Sequence, residues 1–206
     1  LGERADAIEL YRRELALLGE EDAERRRRAR IQIRLANLHA ARPEEAPLAI
    51  TAFREAERLE RLSASDERAL ALLLDQTGEP AQFRETFGHW CDREDTTAGV
   101  ADHVLLATRL AEAGELAHAL VRAERAVAVA PEHAPAWALL GRLQQTNGRD
   151  ELAIRSLERA ADHSLPVECA RRCVEAAAIA EPVGLERADA LLQRAVRADS
   201  TCFAAH

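Results

Sequence analysis

The amino-acid sequence predicts an all-α protein made of stacked antiparallel helical hairpins, and three observations carry that prediction. The 206 residues favour Ala, Leu, Arg and Glu, all strong helix formers. Runs rich in Val, Ile and Thr, which would mark strands, are absent. Small and large apolar residues return at a fixed spacing of about 34 positions, the signature of a helix-turn-helix repeat array. With aromatics at only 3%, alanine and leucine must do most of the packing.

The spacing is clearest around the segment APAWALLGRLQQTNGRDELAIRSLERA, which starts at Ala134. Stepping back one period takes Gly148 to Gly114, Ala153 to Ala119, Ala160 to Ala126 and Leu140 to Leu106. Each repeat reads as a first helix, A, and a second, B. Residues at i, i+3, i+4 and i+7 share one helix face, which groups Trp137, Leu140, Gly141 and Gln144 on A, and Ala153, Leu157 and Ala160 on B. Gly141 and Ala153 are expected to meet where two backbones come closest, with Leu157 and Trp137 filling the space beside them. Asn147-Gly148 is expected to end helix A, because glycine takes the left-handed conformation at little cost.

Taken in order, residues 1–19 read as a lone helix B, with Ala7 and Tyr11 in its packing slots. Repeats follow at 20–63, 64–97, 98–133, 134–167 and 168–200, forming one continuous array over 1–206, and 201–206 reads as the start of a further helix A. In 20–63 the core positions are Leu35, Ala36, Ala49, Phe53 and Ala56. In 64–97 they are Leu70, Ala71 and Leu74, with Phe83, Phe87 and Trp90 where smaller residues are usual. In 168–200 helix B keeps Ala188, Leu192 and Ala195, after a turn at Pro182-Val183-Gly184 that is one residue longer. All seven prolines fall at expected helix ends or first turns, where the missing N–H costs little. Methionine is absent and neither end carries a polar cap, so the chain is expected to be a piece of a longer protein.

This pattern resembles the tetratricopeptide repeat (TPR) family. The resemblance rests on Trp137, Leu140, Gly141, Gly148, Ala153, Leu157 and Ala160 in one copy. The preceding copy matches at Leu106, Ala107, Leu110, Gly114, Ala119, Ala123, Ala126 and Pro131. Departures are Gln144, where an aromatic is usual, and a closing proline displaced to Pro166. The resemblance implies a right-handed superhelix, an α-solenoid, whose A helices line a concave groove that holds a peptide or a partner's helix. Carried onto this sequence, the groove positions include Arg30, Arg34, Asn37, Arg68, Asp75, Thr108, Arg142, Gln145 and Arg172. Arginine recurs along that row and can fork onto a carboxylate with two hydrogen bonds, so the row suits an acidic or C-terminal carboxylate ligand, against the commoner case of a solvated arginine face. Of the lysine-containing set by which some TPR copies clamp a terminal carboxylate, only Asn37 and some arginines could take part here, since the chain has no lysine.

Charge and motifs narrow the function further. The net charge is −8, against a nucleic-acid partner, which usually calls for a basic excess. Every Lys/Arg position is arginine, which excludes a P-loop and a Schiff-base lysine. No HExxH or GxSxG motif is present. No run approaches a membrane span, and the start lacks the pattern of a signal peptide. Arg25 to Arg28 read as a solvated run paired at i,i+4 with Glu21, Asp22 and Glu24. Cys169 and Cys173 read as buried or half-buried free thiols rather than zinc ligands, and the four scattered cysteines suit a reducing compartment, taken as the cytoplasm. "FGHWC", from Phe87 to Cys91, reads either as local repacking or as an aromatic anchor for a partner. The expected function is a non-catalytic protein–protein interaction scaffold that needs no cofactor. The alternatives are a sensor or substrate-recruiting arm of a larger enzyme, and an RNA-binding helical repeat.

Overall fold

Three glycines turn the chain by one device. Gly78, Gly114 and Gly148 have φ of +77°, +79° and +69°, a region that side chains with a Cβ resist. Around each, the N–H of the next residue reaches back five positions: Glu79 to the Leu74 carbonyl at 2.9 Å, Glu115 to Leu110 at 2.9 Å and Arg149 to Gln144 at 2.8 Å. These are Schellman closures, which satisfy carbonyls left open at a helix end.

The computed structural model describes residues 2–19, 21–182 and 184–200. Among the described residues there are eleven α-helices and no strand. They are α1 (Gly2–Leu17), α2 (Asp22–Ala40), α3 (Ala46–Leu59), α4 (Ala64–Gln76), α5 (Pro80–Asp92), α6 (Val100–Glu112), α7 (Leu116–Val129), α8 (Ala134–Thr146), α9 (Asp150–Asp162), α10 (Pro166–Ala180) and α11 (Leu185–Ala198). A single 3₁₀ turn, Pro43–Glu45, precedes α3. Pro80 and Pro166 open α5 and α10, and Pro47 and Pro135 lie in the first turns of α3 and α8. The expected further helix at 201–206 lies outside the described residues.

The chain divides into two compact units, Leu1–Thr96 and Thr97–His206. In the first, α2 pairs with α3 and α4 with α5, while α1 packs on α2 and α3 on α4. In the second, α6 pairs with α7, α8 with α9 and α10 with α11, while α7 packs on α8 and α9 on α10. Within each unit the second helix of a pair therefore also rests on the first helix of the next, which is how stacked hairpins bury faces that a lone hairpin leaves wet.

The two units fill their cores differently. In the second, a Cβ added to Gly141 would lie 2.9 Å from Leu157 Cγ and 3.2 Å from the Ala153 carbonyl oxygen. The glycine is what lets α8 approach α9 so closely. Ala153, Leu157 and Ala160 are fully buried. Gln144, in the slot where an aromatic is usual, is buried too, and its Oε1 accepts from Ser156 Oγ on α9 at 2.7 Å. Trp137 is half-buried, with its indole N–H donating to the Pro131 carbonyl at 2.7 Å. In the first unit, rings do the filling. Phe83 and Phe87 are fully buried and stack at 5.0 Å, and Phe87 stacks on Trp90 at 5.1 Å. Trp90 is only 6% exposed, so the "FGHWC" face repacks the pair and presents no aromatic anchor.

The arginine run of α2 corrects one expectation. Arg25 donates to the carbonyls of Leu59 and Arg58 at 2.9 and 3.3 Å, not to Glu21. Arg28 donates to the Gly19 carbonyl at 3.2 Å, and Glu24 accepts from the Gly19 N–H. Arg27 donates to Glu14 on α1 at 2.8 Å. Open carbonyls at the ends of α1 and α3 compete successfully with neighbours on the same helix, because helix C-termini favour cations. The Asp22 side chain, the third expected partner, lies outside the described residues.

Candidate functional site

The positions expected to line a groove all fall on first helices. In the first unit α2 carries Arg30, Arg34 and Asn37, and α4 carries Arg68 and Asp75. Arg30, Arg34, Asn37 and Arg68 are exposed, and Asp75 is half-buried. Two of these arginines lie on aromatic rings. The Arg34 guanidinium sits 5.7 Å from the centre of the Tyr11 ring, with Nη1 3.5 Å from its hydroxyl. The Arg68 guanidinium sits 5.4 Å from the Trp90 ring centre. A ring face attracts the cation through its quadrupole.

In the second unit the positions are Thr108 on α6, Arg142 and Gln145 on α8, and Arg172 on α10. Gln145 is exposed. Thr108 is half-buried and its hydroxyl donates to the Val104 carbonyl at 2.9 Å, so its donor is used within the helix. The arginines are occupied by the chain itself. Arg142 Nε donates to Glu175 Oε1 at 2.7 Å, and Arg172 Nη1 donates to Glu175 Oε2 at 2.8 Å. Arg172 also reaches Glu168 at 3.4 Å. Burial pushes the Glu175 carboxyl up, but the two guanidiniums outweigh it and hold the group below the usual carboxylate range.

Other polar clusters brace the fold. Buried Glu67 accepts from His89 and from Arg93, which also donates to the Leu62 carbonyl at 2.9 Å and holds Asp95 through two bonds of 2.7 Å. Asp95 is held at about 2, first by the bonds from Arg93. An open cavity of about 430 Å³ is lined by Arg61, His89, Asp92, Arg93, Glu94 and Asp95, which bring both signs of charge to its wall. Glu45, also held at about 2, accepts from Arg4 on α1 and from buried His39 on α2. Cys169 is half-buried and Cys173 buried, both free; burial, then the neighbouring thiol, pushes Cys173 up to about 12 and keeps it a poor nucleophile. Among the described residues, no three His, Cys, Asp or Glu are grouped so as to hold a metal ion. No described helix is long and apolar enough to cross a membrane.

Paired helices closed by positive-φ glycines, with small residues at the crossing, define the tetratricopeptide repeat fold, and solved structures bear this out. No family model matches the chain, and no curated protein matches its sequence. The fold is similar to that of YrrB, described as a TPR protein with an unusual peptide-binding site, at 16% identity over 85% of this chain and 88% of that one, with a TM-score of 0.65. It is similar to the MamA protein at 17% identity over 84% of this chain and 92% of that one, with a TM-score of 0.66. It is also similar to BtubC from P. vanneervenii at 17% identity, over 96% of this chain and 89% of that one, with a TM-score of 0.55.

Proposed function

We propose that this chain is a protein–protein interaction scaffold that holds an extended peptide or partner segment along its first helices and carries no catalysis or cofactor of its own. The observation that carries the reading is that, within each unit, first helices present exposed polar side chains. Arg30, Arg34, Asn37, Arg68, Arg142 and Gln145 project from elements fixed by packing on their other face. Such a surface orders a ligand without having to order itself, which limits the entropy cost of binding. A structural neighbour whose description names a peptide-binding site supports the same reading.

The test is site-specific photo-crosslinking. A photoreactive amino acid at Asn37 or Gln145 is expected to capture a partner, and one at the exposed second-helix positions Glu57 or Arg155 is expected to capture none. Crosslinks confined to Glu57 and Arg155 would reject the first-helix surface.

A further inference from the structure

Helix α2 is unlike the rest of this acidic chain. It holds six arginines against Asp22 and Glu24, a balance of 6 − 2 = +4, in a protein of net charge −8. Three of the six, Arg25, Arg27 and Arg28, are tied to Leu59, Glu14 and Gly19 as described. The other three, Arg26, Arg30 and Arg34, are all exposed and follow one another at i, i+4 and i+8. Among the described residues, no carboxylate pairs with Arg30 or Arg34, and Asn37 extends the same stripe by a further turn.

Four residues of α-helix advance about 6 Å. Two residues of an extended chain advance about 6.7 Å, and alternate side chains point the same way. A strand-like peptide with a carboxylate at every second residue thus matches the arginine spacing closely. The stripe rotates by about 40° per step, at 3.6 residues per turn, and the long arginine side chains absorb the drift. Tyr11 holds the Arg34 guanidinium beside its ring, with Nη1 3.5 Å from the hydroxyl, and a carboxylate would fork onto the remaining N–H donors.

We propose that Arg26, Arg30 and Arg34 of α2 form a rail that binds an extended acidic peptide with carboxylates at alternate positions. The proposal rests on the scaffold reading above and assigns the acidic contact to the first unit. In the second unit, Glu175 already occupies Arg142 and Arg172.

Fluorescence anisotropy with a labelled Ser-Glu alternating nonapeptide tests it. The whole chain is expected to bind this probe, more weakly as salt rises. A peptide of the same composition with its glutamates contiguous should bind less tightly, and the Gln analogue should not bind. Removing arginines in Arg26→Gln/Arg30→Gln and in the triple variant with Arg34→Gln should weaken binding by up to about fivefold per residue. Arg155→Gln on α9 should leave it unchanged. Far-ultraviolet circular dichroism should stay native in each variant. Undiminished binding in the triple variant would overturn the rail while leaving the scaffold reading intact. Absence of binding to any acidic peptide would overturn the acidic chemistry, with the crosslinking experiment still deciding the scaffold. A single-stranded RNA oligonucleotide that bound α2 more tightly than the peptide would overturn it in favour of a phosphate ligand.

Discussion

The pair α4–α5 and the pair α8–α9 occupy equivalent places in the repeat and reach the same hairpin by opposite means. In α8–α9, Gly141 lets two backbones close to within contact of the Ala153 carbonyl. In α4–α5, the stacked Phe83, Phe87 and Trp90 fill the space instead. Surface charge diverges in parallel: in the second unit Arg142 and Arg172 share an internal carboxylate, Glu175, while α2 in the first keeps Arg26, Arg30 and Arg34 exposed. The difference teaches that the repeat fixes where helices run, while local volume and charge decide what each copy offers a ligand.

The largest effect should come from emptying the aromatic core. Phe87→Ala is expected to destabilise by about 4 kcal/mol, read from denaturant unfolding, because a fully buried ring leaves a cavity. Next is overfilling the glycine crossing. Gly141→Leu should cost about 3 kcal/mol through overpacking against Leu157 and the Ala153 backbone. The glycine within α5, on the second helix of its pair, has the opposite sign. A Cβ at Gly88 meets nothing within 4 Å, so Gly88→Ala should stabilise by about 0.5–1 kcal/mol through helix propensity alone. Equal and unfavourable effects at both glycines would break the contrast between the two pairs.

A further effect is confined to acid. Bonds from Arg4, then His39, lower the Glu45 carboxyl from its ordinary 4.5 to about 2. The depressed value means that the Glu45 carboxylate contributes stability above its ordinary 4.5 and loses that contribution as pH falls towards 2. The melting temperature should drop across that window, and Glu45→Gln should flatten the drop. A profile identical to the parent's would show that the α1–α2 tie adds nothing to stability.

Much of this was legible in the sequence because it concerns the backbone. Gly78, Gly114 and Gly148 announce turns, and Gly141 with Ala153 announces a close crossing, through what glycine and alanine lack. The resemblance to tetratricopeptide repeats rests on those same residues and holds at the level of fold. The availability of the groove arginines was not legible from residue type. Arg142 and its partner Glu175 stand 33 residues apart, nearly one repeat, so the pair forms between successive first helices. The arginine run of α2 was misread for a related reason. Its partners are carbonyls at the ends of other helices, invisible to a rule that looks four residues away.

The most direct test of the central claim moves the site from one unit to the other. In the background lacking Arg26, Arg30 and Arg34, Glu175→Gln removes the carboxylate that occupies Arg142 and Arg172. If internal pairing decides where an acidic segment docks, the alternating acidic peptide should regain measurable affinity in anisotropy titrations, and lose it again on adding Arg142→Gln. Affinity that stays absent after Glu175→Gln would contradict the account.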